Sequence, residues 1–257
     1  MSIIKLKSPH EIKKMRKPNQ IVALVLDMLK SEIKPGVSTW ELDKKAYNLI
    51  INNGGKPAFL GYKPHRDMPA FPGTLCVSIN EEVVHGIPSK DRIIRSGDIV
   101  SVDVGVFKSG FYGDAAFSYG VGEVDEIKKK LLEVGYQALM NGINQFIAGN
   151  KLGDIGYAIE NYAEKNGFSV VKTFVGHGIG KNLHEPPQVP NYGFPNQGVE
   201  LKTGLAIAIE PMINAGVEDV EVLDDGWTVV TADRKPSVHF EHTCVLTENG
   251  VEILTML

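Results

Sequence analysis

Only two cysteines, Cys76 and Cys244, occur in the 257 residues, too few for a disulfide framework of the kind that staples small extracellular domains. Long apolar runs are also missing. The most hydrophobic early stretch, residues 21–30, is short and interrupted by Asp27, which suits a core helix and excludes a membrane span. The first residues hold no uninterrupted apolar segment that would act as a secretion signal. Neither sign of charge dominates: 27 Lys and Arg stand against 31 Asp and Glu, a formal net charge of −4, so no basic footprint for nucleic acid is present. Low-complexity segments and composition-shifted linkers are absent as well. The chain reads as a cytoplasmic protein with no membrane role. At 43% hydrophobic and 23% charged residues it has ordinary globular composition and enough length for a sizeable core, here assigned to one domain, 1–257.

Two capping boxes punctuate the N-terminal part. Ser8 with Glu11 opens a helix expected to reach Ile33, with a kink at Pro18, and Ser38 with Glu41 opens another ending near Gly54. Residues 55–74, rich in proline and glycine, read as a long loop. Strands are expected at 75–80, 98–107 and 111–119, helices at 123–146 and 154–166, and further strands near 168–174, 205–211 and 238–247.

An internal echo accompanies this order. Leu42, Ala46, Leu49, Ile50 and Gly54 recur in spacing as Ile155, Ile159, Tyr162, Ala163 and Gly167. His85-Gly86-Ile87 follows the first set, and His177-Gly178-Ile179 follows the second. Gly97 precedes Asp103 by six residues, as Gly204 precedes Glu210. Amphipathic helices share spacing by nature, but three matches in the same order favour a duplicated half-domain, about 36–119 and 150–247.

The stretch Val102–Phe117 reads as a hairpin turning at Lys108-Ser109-Gly110, with Asp103 and Asp114 inside apolar strands. A buried carboxylate is costly unless a counter-charge or cation meets it. Side chains alternate along a strand, and across a hairpin with an even-numbered turn, residues whose numbers differ by an odd amount share a face. Asp103 and Asp114 differ by 11 and so point the same way. One buried aspartate is ordinarily hydrogen-bonded and structural; two on one face repel each other and call for a shared cation. Glu210 in LAIAIEPM and Glu241 in VHFEHTCVL sit in comparable apolar strands, where each alone could be a strand-end acid facing water. His177, between glycines in GHGIG, completes a set of carboxylate and imidazole donors suited to two divalent ions. GHGIGK is not a phosphate-binding loop, because the glycine spacing is wrong and Asn182 stands where Ser or Thr is required.

In this order, VDVG…GFYGD, GHGIGKNLHEPP, AIEPM and FEHT resemble the type I methionine aminopeptidases of the pita-bread metallopeptidase superfamily. The likeness extends from KMRKPNQ through CVSINEEVVHGIP to the last strand. It implies an α+β pita-bread fold: two pseudo-symmetric halves with mainly antiparallel sheet and helices on the outer face. It implies metal ligands Asp103, Asp114, His177, Glu210 and Glu241, with Asp114 and Glu241 bridging two divalent ions (Co, Mn, Fe or Zn). His177 and Glu210 would hold one ion and Asp103 the other. It also implies a catalytic set of His85, His184 and Glu210: a metal-bridging hydroxide attacks the scissile carbonyl, Glu210 shuttles the proton, His184 meets the oxyanion, and His85 meets the scissile amide nitrogen. A methionine pocket is implied around Phe59, Phe71, Cys76, Leu183 and Trp227, beside His85 and His184. A monovalent cation (Na or K) near Asn80 and Ser237 is a further implication. His10, His65, His239 and His242 read as structural, although the resemblance sets His239 beside the site, where many relatives carry Gln.

The expected activity is removal of the initiator methionine from nascent polypeptides whose second residue is small, by a monomer acting at the ribosome. A proline-directed peptidase of the same fold is the nearest rival, and a scaffold without its ligands, acting as a binding protein, is the other. Proline-directed relatives usually carry a large N-terminal domain for which this chain has no room, and five intact ligand positions disfavour the second rival.

Overall fold

The structure, a computed structural model, describes residues 4–65 and 68–257. Helix α1 (Pro9–Glu32) starts at the expected box: the Glu11 N–H donates to Ser8 Oγ at 3.3 Å while the Glu11 carboxylate accepts the Ser8 N–H at 3.0 Å. The helix continues through Pro18 to its end. The same device at Ser38 and Glu41 starts α2 (Thr39–Asn52).

Five strands follow: β1 (Lys56–Pro57), β2 (Leu75–Ile79), β3 (Glu82–Val84), β4 (Ile99–Lys108) and β5 (Phe111–Gly120). Strand β4 is the spine of the first sheet, with β5 on one edge and β1 and β2 end to end along the other. The short β1 lies inside the stretch expected to be loop. Two helices come next, α3 (Glu126–Asn144) and α4 (Leu152–Lys165). The remaining strands are β6 (Ser169–Val170), β7 (Gly176–Gly178), β8 (Glu185–Val189), β9 (Ala206–Ile209), β10 (Met212–Asn214), β11 (Val220–Val222), β12 (Val229–Thr231), β13 (Ser237–His239), β14 (His242–Thr247) and β15 (Gly250–Ile253). They form a five-stranded sheet ordered β15-β14-β9-β7-β8 and two small three-stranded ones, β13-β10-β6 and β11-β12-β3. Every pairing is antiparallel. The fold is the expected pita-bread type of α+β architecture.

The alternation in β4 decides which side of the sheet is core. Val100, Val102, Val104 and Val106 pack with Ala115 of β5 against Val22, Val25 and Leu29 of α1 and Leu42, Ala46 and Ile50 of α2. In the second half, Val134 and Ala138 of α3 and Ile155 and Ile159 of α4 cover Ile207, Ile209 and Cys244. Helices thus cover one face of each of the two larger sheets, and the edge strand β5 meets the segment around β13 and β14 at a seam stitched by hydrogen bonds. The Glu241 N–H donates to Ala116 O at 2.9 Å, Thr243 Oγ1 donates to Asp114 O at 2.7 Å, and Ser118 Oγ donates to His239 O at 2.8 Å. The first of these bonds explains a departure from expectation. The strand expected at 238–247 breaks at Phe240–Glu241, because Glu241 turns its backbone to the other half's sheet.

Candidate metal centre

The hairpin closes more tightly than the sequence suggests. Lys108 pairs with Phe111, leaving the two-residue turn Ser109–Gly110 with φ of 56° and 82°, the left-handed pair that matches strand twist. Asp103 therefore lies opposite Ala116, and Asp114 opposite Gly105. Both carboxylates share the face turned away from the helices. Glu210 follows β9 directly, Glu241 immediately precedes β14, and His177 is the middle residue of β7, opposite Ala208. Ligand atoms of Asp114, His177 and Glu241 lie within 4.8 Å of one another. His177 Nε2 is 3.4 Å from Glu210 Oε1.

These five side chains line the floor of a cavity of about 1210 Å³. The same cavity is lined by His85, His184, Phe59, Phe71, Cys76, Leu183 and Trp227, so every residue expected in the metal, catalytic or pocket sets reaches one space. Trp227 meets Phe71 edge-on at 5.2 Å and His85 at 6.1 Å, and the His177 and His184 rings are 4.3 Å apart. His85 has φ of 62°, a left-handed backbone that costs a non-glycine residue on the order of 1–3 kcal/mol and tends to persist where a site requires it.

Electrostatics tests whether such a floor fits cations. Burial raises the pKa of Asp103 to about 7 and of Glu210 to about 8. Asp114 and Glu241 are pushed well above the usual carboxylate range, first by burial and then by the neighbouring acids. The imidazoles go the other way: burial lowers His177 to about 3 and His85 to about 4, and lowers His184. His177 is thus neutral, and its Nδ1–H donates to Gly178 O at 2.9 Å, leaving a lone pair on Nε2 facing Glu210 Oε1. Asp103 Oδ1, Asp114 Oδ1 and Glu241 Oε1 are buried without a hydrogen-bond partner. A buried floor of acceptors with neutral imidazole matches the hard-to-borderline divalent ions, which take carboxylate oxygen and His nitrogen together.

Comparison with known proteins agrees. The sequence pattern of metallopeptidase family M24 matches residues 13–248. The chain belongs to metallopeptidase family M24. Methionine aminopeptidase 1 of Bacillus subtilis is 49% identical over 249 residues, 97% of this chain and 98% of that protein. The methionine aminopeptidase of Clostridium perfringens is 46% identical over 255 residues, 99% of this chain and 100% of that one. The crystal structure of methionine aminopeptidase from Thermotoga maritima superimposes with a TM-score of 0.95 at 45% identity, over 99% of this chain and 100% of that chain. A prolidase from Pyrococcus horikoshii shares the fold at 24% identity and a TM-score of 0.77; the match takes 97% of this chain but 63% of the prolidase.

Within this M24 site, two residues, Tyr62 and Phe174, escape sequence reasoning. Tyr62 Oη lies 2.8 Å from His184 Nδ1, which leaves Nε2 as the unengaged ring nitrogen. Phe174 lines the cavity and meets His85 edge-on at 5.7 Å. His239, read as structural but expected beside the site, is buried in the cavity wall with Nε2 3.7 Å from Glu210 Oε2. His65 also reaches the cavity lining. The structural reading fits His242, buried against Thr255 at 2.8 Å, and His10 is exposed. In the expected loop 55–74, Arg66 and Asp67 lie outside the described residues.

Gly105 shows how tightly the pocket is drawn over the metal floor. A Cβ added there would lie 2.7 Å from Phe59 Cε1 and 2.9 Å from Ala58 Cβ. Gly105→Ala should therefore push Phe59 off its wall of the cavity, raising KM for methionyl peptides while bound metal per chain stays unchanged. Steady-state kinetics beside metal analysis checks this; an unchanged KM contradicts it.

Proposed function

We propose that this chain is a metal-dependent methionine aminopeptidase that releases the initiator methionine from new polypeptides whose second residue is small. The observation that carries the reading is the meeting of a buried floor of four carboxyl groups and one neutral imidazole, Asp103, Asp114, His177, Glu210 and Glu241, with an aromatic-walled cavity. Those five side chains would hold two divalent ions, with Mn, Fe, Co and Zn all compatible with mixed nitrogen and oxygen donors. Such ions, when bound, lower the pKa of water and polarise a carbonyl. Glu210, whose proton affinity burial raises, is suited to take a proton from the attacking water and pass it to the leaving amine. With Nδ1 engaged by Tyr62, His184 presents Nε2–H to the developing oxyanion. His85, neutral at physiological pH, faces the scissile amide nitrogen. Phe59, Phe71, Cys76, Leu183 and Trp227 enclose the unbranched thioether of methionine.

The same reading places the protein in the cytoplasm, as a monomer meeting chains as they leave the ribosome. It extends to a monovalent cation (Na or K) beside Asn80 and Ser237. Asn80 is left-handed at φ 55°, and its carbonyl, which accepts the Ser237 N–H at 2.8 Å, retains a second lone pair. We further infer that residues 36–119 and 150–247 descend from one repeated unit within a single catalytic domain. Supporting this, α2 and α4 both span 14 residues, and Gly97 and Gly204, each six residues before an acid of the floor, share a φ of 90°.

A peptide panel tests the activity. Metal-loaded protein should release methionine from Met-Gly-Met-Met and Met-Ala peptides, leave Met-Lys peptides intact and leave Ala-Pro peptides uncut. One surplus methylene in a closed pocket is worth about 10–200-fold in kcat/KM, and lysine exceeds alanine by several. Comparable cleavage of Met-Lys and Met-Ala would contradict the small-residue rule, and cleavage of Ala-Pro alone would favour the proline-directed rival.

A further inference from the structure

We propose that Lys7 is a positioning residue for His184, acting through Glu185; the inference rests on the substrate role assigned to His184 above. Lys7 is the one buried lysine among the described residues, 7% exposed. Its Nζ donates to Glu185 Oε2 at 2.6 Å and to Lys5 O at 3.1 Å, and the two charged side chains are each 5% exposed. Stability alone does not explain such a pair. Desolvating two charges offsets their attraction, and apolar side chains of similar volume often serve as well or better. Yet the fold keeps room for it: a Cβ on Gly180 would lie 2.5 Å from Lys7 Cε and 2.7 Å from Nζ.

What the pair holds is the turn that carries His184. Glu185 follows His184 in sequence, and its second oxygen, Oε1, accepts the Asn182 N–H at 3.0 Å. One carboxylate therefore fixes both ends of the segment that brings Leu183 and His184 to the cavity. Gly180 closes the turn, donating its N–H to Asn182 O at 3.1 Å and accepting the Tyr112 N–H at 2.8 Å. Lys7 is itself anchored, its N–H donating to Gly204 O at 2.6 Å, just ahead of the strand that delivers Glu210. The N-terminal segment is thus a brace between the Glu210 strand and the His184 turn. A catalytic group displaced by about 1 Å can lose on the order of 10²-fold in rate, so a brace on its turn has a function that packing would not supply.

The test is a double-mutant cycle on the metal-loaded full chain, reading kcat and KM for Met-Gly-Met-Met in parent, Lys7→Met, His184→Ala and the double variant. Metal content is read by calorimetry and folding by circular dichroism. Lys7→Met should lower kcat about 10–100-fold, the range for outer-shell partners, with metal stoichiometry unchanged. In the His184→Ala background the same substitution should have almost no further effect. Glu185→Gln, which removes the charge but keeps an acceptor for Asn182, should reproduce the loss if Lys7→Met folds poorly. Parent-like rates in both Lys7→Met and Glu185→Gln, full multiplication of the two losses in the double variant, or loss of metal in Lys7→Met overturns the positioning role. His184→Ala with parent activity overturns the role of His184, and this inference with it; a slow His184→Ala beside a multiplicative cycle overturns this inference alone.

Discussion

Alanine at His177 should weaken metal binding, whereas alanine at His85 or His184 should leave the metal in place and slow the reaction. The two histidines in a His-Gly-Ile context are confusable by sequence, but their surroundings differ. His177 presents an unprotonated Nε2 to Glu210 and stands with Asp114 and Glu241 within one ligand shell's reach. His85 instead packs edge-on between Phe174 and Trp227, and His184 is held by Tyr62. Loss of an outer-shell partner already costs about 10–100-fold in metal affinity or activity, so loss of a ligand at His177 or Glu241 should exceed that. High added metal should partly restore His177→Ala. Removal of a transition-state hydrogen bond costs about 10²–10³ in kcat, the loss expected for His184→Ala at full metal content. Metal content by calorimetry beside kcat/KM for the three variants decides the matter: His85→Ala without metal and His177→Ala with it would invert the assignment.

Chelation should destabilise the protein far more at pH 8.5 than at pH 5. In the metal-free fold, Asp103 and Glu210 keep protons up to about pH 7 and pH 8, and burial with the neighbouring acids raises Asp114 and Glu241 well above the usual carboxylate range. The unfolded chain releases the same protons near pH 4. Between those limits these four acids hold more protons in the native state than in the unfolded chain, so their contribution to stability falls as pH rises, while the buried neutral His85, His177 and His184 act in the opposite sense below about pH 6.5. Divalent metal replaces the protons and removes the penalty, and its binding should release protons to the buffer. At a free metal concentration 100-fold above Kd each site contributes about 2.7 kcal/mol, and 1 kcal/mol moves Tm by roughly 2–4 °C in a chain of this size. A loss of about 5–10 °C per site on chelation at pH 8.5, shrinking at pH 5, is the expected result of thermal melts. A loss on chelation as large at pH 5 as at pH 8.5 would contradict it.

What could be read from sequence follows the physics of each element. The long hairpin is legible because ten-residue strands display their period, and the parity of Asp103 and Asp114 survives any even turn; the turn found, Ser109–Gly110, is even. The capping boxes are legible because both partners lie within four residues of sequence. Strands of three residues, such as β3, β7 and β10, are too short to show a period, and their pairings are set by distant neighbours. The break at Phe240–Glu241 comes from a hydrogen bond to Ala116 in the other half, which no local pattern encodes. Tyr62 and His239 join the site by the same kind of long-range contact. Tyr62 reaches it from a loop rich in proline and glycine, and His239 because β13 lies at the seam. The metal floor is legible for a simpler reason. Four acids in otherwise apolar strands would each carry a large desolvation cost, and a shared cation offsets it for all of them at once.

The central claim is that methionine release depends on divalent metal held by this floor. The direct measurement titrates metal-free protein with Mn²⁺ or Co²⁺ in a calorimeter while free methionine is assayed on a Met-Ala peptide, for the parent and for Glu241→Ala. The account predicts that release by the parent rises in step with bound metal, and that Glu241→Ala binds less metal and releases methionine correspondingly slowly. Methionine released at the full rate by metal-free protein in excess chelator, or by a Glu241→Ala protein that binds no metal, would contradict it.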